Sequence, residues 1–136
     1  MNPRWIKAVF FASGVYDFGL GLLFLLFGLA IYRHVGIAPP NHHFYIQFPA
    51  LLMMIFGVMF FEVGRNPEGG RNLMLYGAAL KASFSALILW HAMRHAMPSF
   101  WVPFGWIDAA FLVLFLAAWN ATARRTAEAG DGEVRI

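Results

Sequence analysis

Four stretches of this chain are apolar over lengths that suffice to cross a bilayer, and little sequence remains for anything else. A helix needs about 20 apolar residues to span the hydrocarbon core. The stretches run over 8–32, 44–61, 72–93 and 99–123. The chain is 60% hydrophobic and 12% charged, whereas a soluble domain is about 25% charged. That leaves too little polar surface to cover a globule in water. The mean hydropathy is +0.62, and the fifteen Phe and five Trp suit a lipid-facing exterior. At 136 residues there is room for one domain. The expectation is an all-α polytopic membrane protein, a four-transmembrane-helix bundle over 1–126. The remainder, 127–136, is small and polar and is expected to be a disordered tail.

The connections carry turn chemistry. Ala38, Pro39, Pro40 and Asn41 separate the first two spans, and the run from Gly64 to Arg71, with Pro67, Gly69 and Gly70, separates the next two. Pro98 and Ser99 precede the fourth, with Ser99 placed as its N-cap. Pro49 and Pro103 fall near span starts, where proline costs less than in a helix interior.

The net charge is +3 and the pI about 9.7, but the basic residues form no run and give no nucleic-acid signature. They mark the span ends instead. Arg4, Lys7, Arg65, Arg71, Arg124, Arg125 and Arg135 fall on one side, and only Arg33 and Arg94 on the other. Lys and Arg are enriched on the cytoplasmic side, so both termini are expected in the cytoplasm. Trp5 and Trp119 then anchor the inner interface, with Tyr32, Tyr45, Trp90, Trp101 and Trp106 toward the outer one. The first span is longer than a signal-peptide core and contains an aspartate, so it reads as a retained helix. Cysteine is absent, which removes disulfides, thiolate metal sites and thiol nucleophiles.

Three spans are each interrupted by one charge, Asp17, Lys81 and Asp108. An ionisable group at membrane depth costs roughly 2.5–3.5 kcal/mol even on insertion scales, so it faces protein or water and usually serves a purpose. Each sits on a small-residue face. Gly14, Gly21 and Gly28 recur every seven residues, and Asp17 shares their stripe. Lys81 has Gly77, Ala78 and Ser85 on its face, and Gly105 precedes Asp108 by three. Small residues let helices approach closely in lipid. Asp17 and Lys81 lie about 12 Å from the inner edge, so they are the expected pair, with Tyr16 beside them. Asp108 lies about 12 Å below the outer edge; the flexible lysine stem can still reach it, so Lys81 with Asp108 is the second pairing, and if unpaired Asp108 is a separate acid and the better placed of the two for function. A weak internal echo links the two acids: Gly14, Asp17, Leu23, Phe24 and Leu25 recur as Gly105, Asp108, Leu114, Phe115 and Leu116. Membrane proteins with repeats often place sites between them. Two readings of the charges stay open, an ion pair that fixes helix register and a proton or ion path or counter-charge for a substrate.

All five histidines lie toward the outer side. His91 and His95 are four apart and would share a helical face, with His42 and His43 across the bundle; together they are candidate metal ligands. His with Met suits copper, and haem on His91 is a further option, although no facing intramembrane histidine is present. The bland alternative is hydrated interfacial histidine.

Tyr16 with Asp17, the stretch from Gly77 to Lys81, and Ile107 with Asp108 give the chain a layout that resembles small DoxX-like four-helix proteins of the bacterial inner membrane. The resemblance covers the whole bundle through short motifs. It implies the inner-membrane setting and four-helix fold, and, through relatives linked to quinone oxidoreductases, a quinone as a possible cofactor. No nucleophile–base pair or phosphate loop indicates an enzyme. The leading expectation is a lipid-embedded protein acting as a homo-oligomer or as an accessory subunit of a larger membrane complex. A proton-coupled small carrier using Asp17, Lys81 and Asp108 is the alternative, and outer-face metal or haem binding is the third.

Overall fold

The computed structural model describes residues 4–134, and is all-helical over them. Helix α1 covers Arg4–His34, α2 Phe44–Arg65, α3 Arg71–Met93 and α4 Val102–Val134, the last entered through a 3₁₀ turn at Ser99–Trp101. Each of the four segments is long and apolar enough to cross a membrane. They run up and down as a four-helix bundle. The start of α1, the end of α4 and the α2–α3 turn share one end, and the α1–α2 and α3–α4 loops share the other.

Three boundaries differ from expectation. Helix α2 continues past 61 to Arg65, because Glu62 and Arg65 pair at 3.2 Å on its exposed side and sustain the last turn. Ser99 makes no capping hydrogen bond; it opens the 3₁₀ turn, and the turn's N-cap position belongs to Pro98. Helix α4 runs on to Val134 where a disordered tail from Ala127 is expected. No proline follows Pro103, and the Ala, Glu and Arg of 121–129 are good helix formers. The last two positions of that tail lie outside the described residues.

Packing is uneven in an informative way. Helices α1 and α2 form one close pair and α3 and α4 another, while the two pairs meet more sparsely. Glycine sets the first closeness. A Cβ at Gly14 would lie 2.7 Å from the Phe61 ring and 3.0 Å from the Gly57 carbonyl, and one at Gly21 would lie 2.5 Å from the Ala50 carbonyl. Backbones at this distance gain dispersion contacts that lipid does not offer either helix separately. Between the pairs, large side chains do the joining. Phe10 stacks on Phe115 at 4.4 Å, and Phe60 meets Phe115 edge-on at 5.0 Å. Ile6, Val63, Met74 and Ala118 complete this core. All of it lies in the half of the bundle nearest the termini. The half nearest the two loops is built differently, as described below.

The two loop-end helices stop in the same manner. At the end of α1 the Gly36 N–H donates to the Arg33 carbonyl and the Ile37 N–H to the Tyr32 carbonyl. At the end of α3 the His95 N–H donates to Ala92 and the Ala96 N–H to His91. Both are Schellman closures, which place one residue in the left-handed region. That residue is Gly36 (φ 73°) in the first and His95 (φ 55°) in the second.

Candidate functional site

Lys81 reaches across from α3 and joins α1 to α4. Its Nζ donates to both carboxylate oxygens of Asp17 at 2.9 Å and to Oδ1 of Asp108 at 3.0 Å. The three side chains are buried, at 0%, 3% and 8% exposure. An ammonium has three protons and no acceptor capacity, so these three contacts satisfy it. Three rings enclose its remaining sides. Nζ lies 5.3 Å from the centroid of Tyr16, 5.6 Å from Phe60 and 5.2 Å from Phe111. Ring faces attract a cation at such distances.

This geometry corrects one expectation. Asp108 is not a separate acid, because the lysine stem spans the difference in depth that backbone positions imply. Lysine carries its charge on four flexible methylenes, and here those methylenes lie in the apolar interior while the ammonium settles between the acids. The aspartates of the two echoed segments therefore converge on a single ammonium. Their small-residue faces point inward with them. A Cβ at Gly77 would lie 2.5 Å from the Phe60 ring, one at Gly105 2.6 Å from Ile88, and one at Gly28 2.5 Å from Ile46.

On the loop side of the charges the bundle is hollow. A cavity of about 190 Å³ begins at Tyr16, Asp17 and Asp108 and extends toward the loops. Phe24, Trp101 and Phe104 form one wall. Phe24 stacks on Trp101 at 5.7 Å, and Trp101 meets Tyr32 at 5.9 Å. Leu80 and Phe84 of α3, with Ile46, Ala50 and Met53 of α2, supply the other sides. Tyr32 and Tyr45 border the cavity near the loop end. Helix α1 departs from regular geometry at Phe27, just before Gly28 closes on Ile46. Lys81 does not line the cavity. It stands behind the carboxylates, and below it Phe10, Phe60 and Phe115 pack solid toward the terminal end.

Charge is not balanced at this floor. With all three groups ionised, two negative charges face one positive, leaving a deficit of one cation. Asp17 gives both oxygens to the lysine, but Asp108 gives only Oδ1. The Tyr16 hydroxyl is buried and has no hydrogen-bond partner among the described residues. Tyr16 and Asp108 both line the cavity, and Asp108 Oδ2 takes no hydrogen bond from Lys81.

The histidines assemble no site. Helix α3 ends at Met93, and the Schellman closure turns His95 away from the face that His91 occupies. Both are exposed, as are His34, His42 and His43. His42 Nδ1 accepts from the Phe44 N–H at 3.0 Å, at the start of α2. Among the described residues, no three His, Asp or Glu side chains gather as metal ligands. His91 lies in the last turn of α3, His95 in the loop beyond it, and His42 and His43 just before α2. His34 lies at the exposed end of α1.

The aromatic lining escapes a sequence reading centred on charge, yet its signal is present in the spacing. Leu20 and Phe24 follow Asp17 by three and seven. Trp101 and Phe104 precede Asp108 by seven and four, and Phe111 follows it by three. Phe84 follows Lys81 by three. These offsets repeat one helical face through each charge. No family model, curated protein or solved structure matches the chain, so what it does has to be read from the site itself.

Proposed function

We propose that this is a multi-pass bacterial inner-membrane protein, with both termini cytoplasmic, that binds a small ligand in the outer half of the bilayer. The observation that carries this is the cavity that ends on the charged centre. An apolar pocket with a few convergent polar groups at its base is the usual form of a small-molecule site. Intramembrane charges that open on such a pocket have a use beyond assembly. The sidedness comes from the seven-to-two division of Lys and Arg between the two ends, and the bacterial setting from the likeness to DoxX-like bundles. The charge deficit gives the site a way to act as a proton-coupled carrier: a proton and a ligand can each complete it, and so exclude one another. The solid aromatic core below Lys81 favours a binding pocket over an open channel.

Native mass spectrometry of protein taken from membranes in lipid nanodiscs tests this. Wild-type protein is expected to carry a small molecule that Leu20→Trp, which fills the cavity without touching a charge, does not. Equal small-molecule occupancy in both, or none in either together with no binder among added small molecules, contradicts the proposal.

A second reading is favoured by one observation, the full satisfaction of Lys81 by protein oxygens. A clamp needs no ligand. In that reading the centre only fixes the bundle, and the protein works as a homo-oligomer or an accessory subunit. The same spectra would then show a defined oligomer or a co-purified protein and no small molecule.

A further inference from the structure

We infer that the cavity selects a small lipophilic organic cation, a single-ring or similarly compact ammonium compound, and rejects anions. This rests on the ligand-binding reading above and specifies its chemistry.

The floor decides the charge. A molecule entering the cavity meets Tyr16, Asp17 and Asp108. It does not meet the lysine. Nζ lies behind the carboxylates, its three protons are taken by their oxygens, and rings close its other sides. Lys81 therefore offers no donor to a phosphate, a carboxylate or a carbonyl. Such groups would approach acidic oxygens instead. A cation meets the opposite situation: with both acids ionised the centre lacks one positive charge, and an unbalanced charge in a low-dielectric site is costly. Asp108 has an oxygen not engaged by Lys81, and Asp108 lines the same cavity. The titratable groups around these acids are Tyr16 and Tyr32 from α1, Tyr45 from α2 and Lys81 from α3. None but the already saturated lysine carries a positive charge.

The walls decide the body. Phe24, Trp101, Phe104 and Phe84 present aromatic surface next to the acids. Cages of rings with carboxylate are how proteins hold ammonium groups that cannot donate many hydrogen bonds, since ring faces attract the diffuse charge. Size limits the choice. An apolar cavity of about 150 Å³ takes benzene, so one of about 190 Å³ holds one ring with a small ammonium head.

The test uses full-length protein in lipid nanodiscs and a set of three probes of nearly equal shape. Benzyltrimethylammonium is the cation and does not titrate. Neopentylbenzene is its neutral carbon counterpart, and phenylacetate is a compact anion. Binding is followed by titration with NMR of the aromatic side chains. The cation is expected to bind at least 10-fold more tightly than the neutral probe, and the anion not to bind. Asp108→Asn should reduce the cation's advantage over the neutral probe by at least 10-fold. Leu20→Trp should abolish binding of both while the helical spectrum is retained, which covers the case that Asp108→Asn misfolds. If the neutral probe binds as well as the cation, or the anion binds, the cation inference is overturned and the ligand-binding reading survives. If no probe binds, or Leu20→Trp binds like wild type, both are overturned.

Discussion

Replacing Lys81 by methionine preserves the length and apolar stem of the side chain and removes the one positive charge between Asp17 and Asp108. At 2.9–3.0 Å and an effective dielectric of about 20, each carboxylate–ammonium contact has a gross attraction on the order of 5 kcal/mol. Most of that offsets the cost of dehydrating the ions, so the trio adds little net stability over a well-packed apolar alternative. Removing one partner alone is another matter. It leaves two acids buried without a counter-charge, and breaking a buried pair in this way costs about 3–5 kcal/mol. Domains of ordinary stability have about 5–15 kcal/mol in total, so Lys81→Met should sit close to unfolding. The neutral triple variant, Asp17→Asn with Lys81→Met and Asp108→Asn, removes all the charges together and should recover most of the loss. The assay is reversible unfolding in detergent mixtures or lipid discs, read by helical circular dichroism, on wild type, the single variant and the triple variant. A single variant within about 1 kcal/mol of wild type would refute the buried-centre argument, as would a triple variant no more stable than the single one.

Other outcomes follow from the same structure. Gly21→Ala should destabilise the α1–α2 pair by about 1–3 kcal/mol through overpacking, because its Cβ would lie 2.5 Å from the Ala50 carbonyl, whereas Gly19→Ala, with nothing within 4 Å, should be neutral; thermal melts in the same lipid compare them. His95→Gly should leave stability unchanged or raise it by up to about 1 kcal/mol, since the left-handed position at φ 55° suits glycine, and metal content measured by elemental analysis should not change. Arg71→Gln should lose the guanidinium–ring contact with Trp119 at 4.2 Å and the hydrogen bond to its carbonyl at 3.2 Å, lowering stability by about 1 kcal/mol in the unfolding assay. Reporters fused after Ile136 should be active only if cytoplasmic, and reporters inserted between 36 and 43 only if external; the reverse pattern would refute the sidedness drawn from Lys and Arg.

Most of the architecture was legible because a bilayer permits so few solutions. Backbone groups in lipid have to be satisfied internally, so four long apolar runs lead directly to four helices. Asp17, Lys81 and Asp108 stood out for the same reason, and glycine spacing showed which way the first charge faces. Depth alone leaves the partner of Lys81 open between Asp17 and Asp108. Rise per residue locates a backbone, but a lysine head can lie several ångströms from its own Cα, and that reach decides the pairing. His91 and His95 share a face only if the helix reaches 95, and α3 ends at Met93. Four-residue spacing places two side chains together only while the helix lasts, and the αL residue that stops α3 is a histidine rather than the glycine that usually signals such a stop. The tail after Ala127 was read from its polarity, while its run of helix formers after the last proline carried the opposite signal. The cavity was not legible at all. A hollow depends on how far Phe24, Phe84 and Phe104 fail to fill the space between helices, and no pattern of residue types along one helix records that.

The central claim is that one ammonium holds both acids at the base of the cavity. The chain has only two lysines, Lys7 and Lys81, which makes a direct measurement practical. Solid-state NMR on protein in lipid, with ¹⁵N in lysine side chains and ¹³C in aspartate carboxyls, reads the nitrogen–carbon couplings at Lys81. Strong coupling of one lysine nitrogen to two carboxyl carbons is expected, one lost in Asp17→Asn when the asparagine is left unlabelled and the other in Asp108→Asn. Coupling to a single carboxyl, or to none, would contradict it.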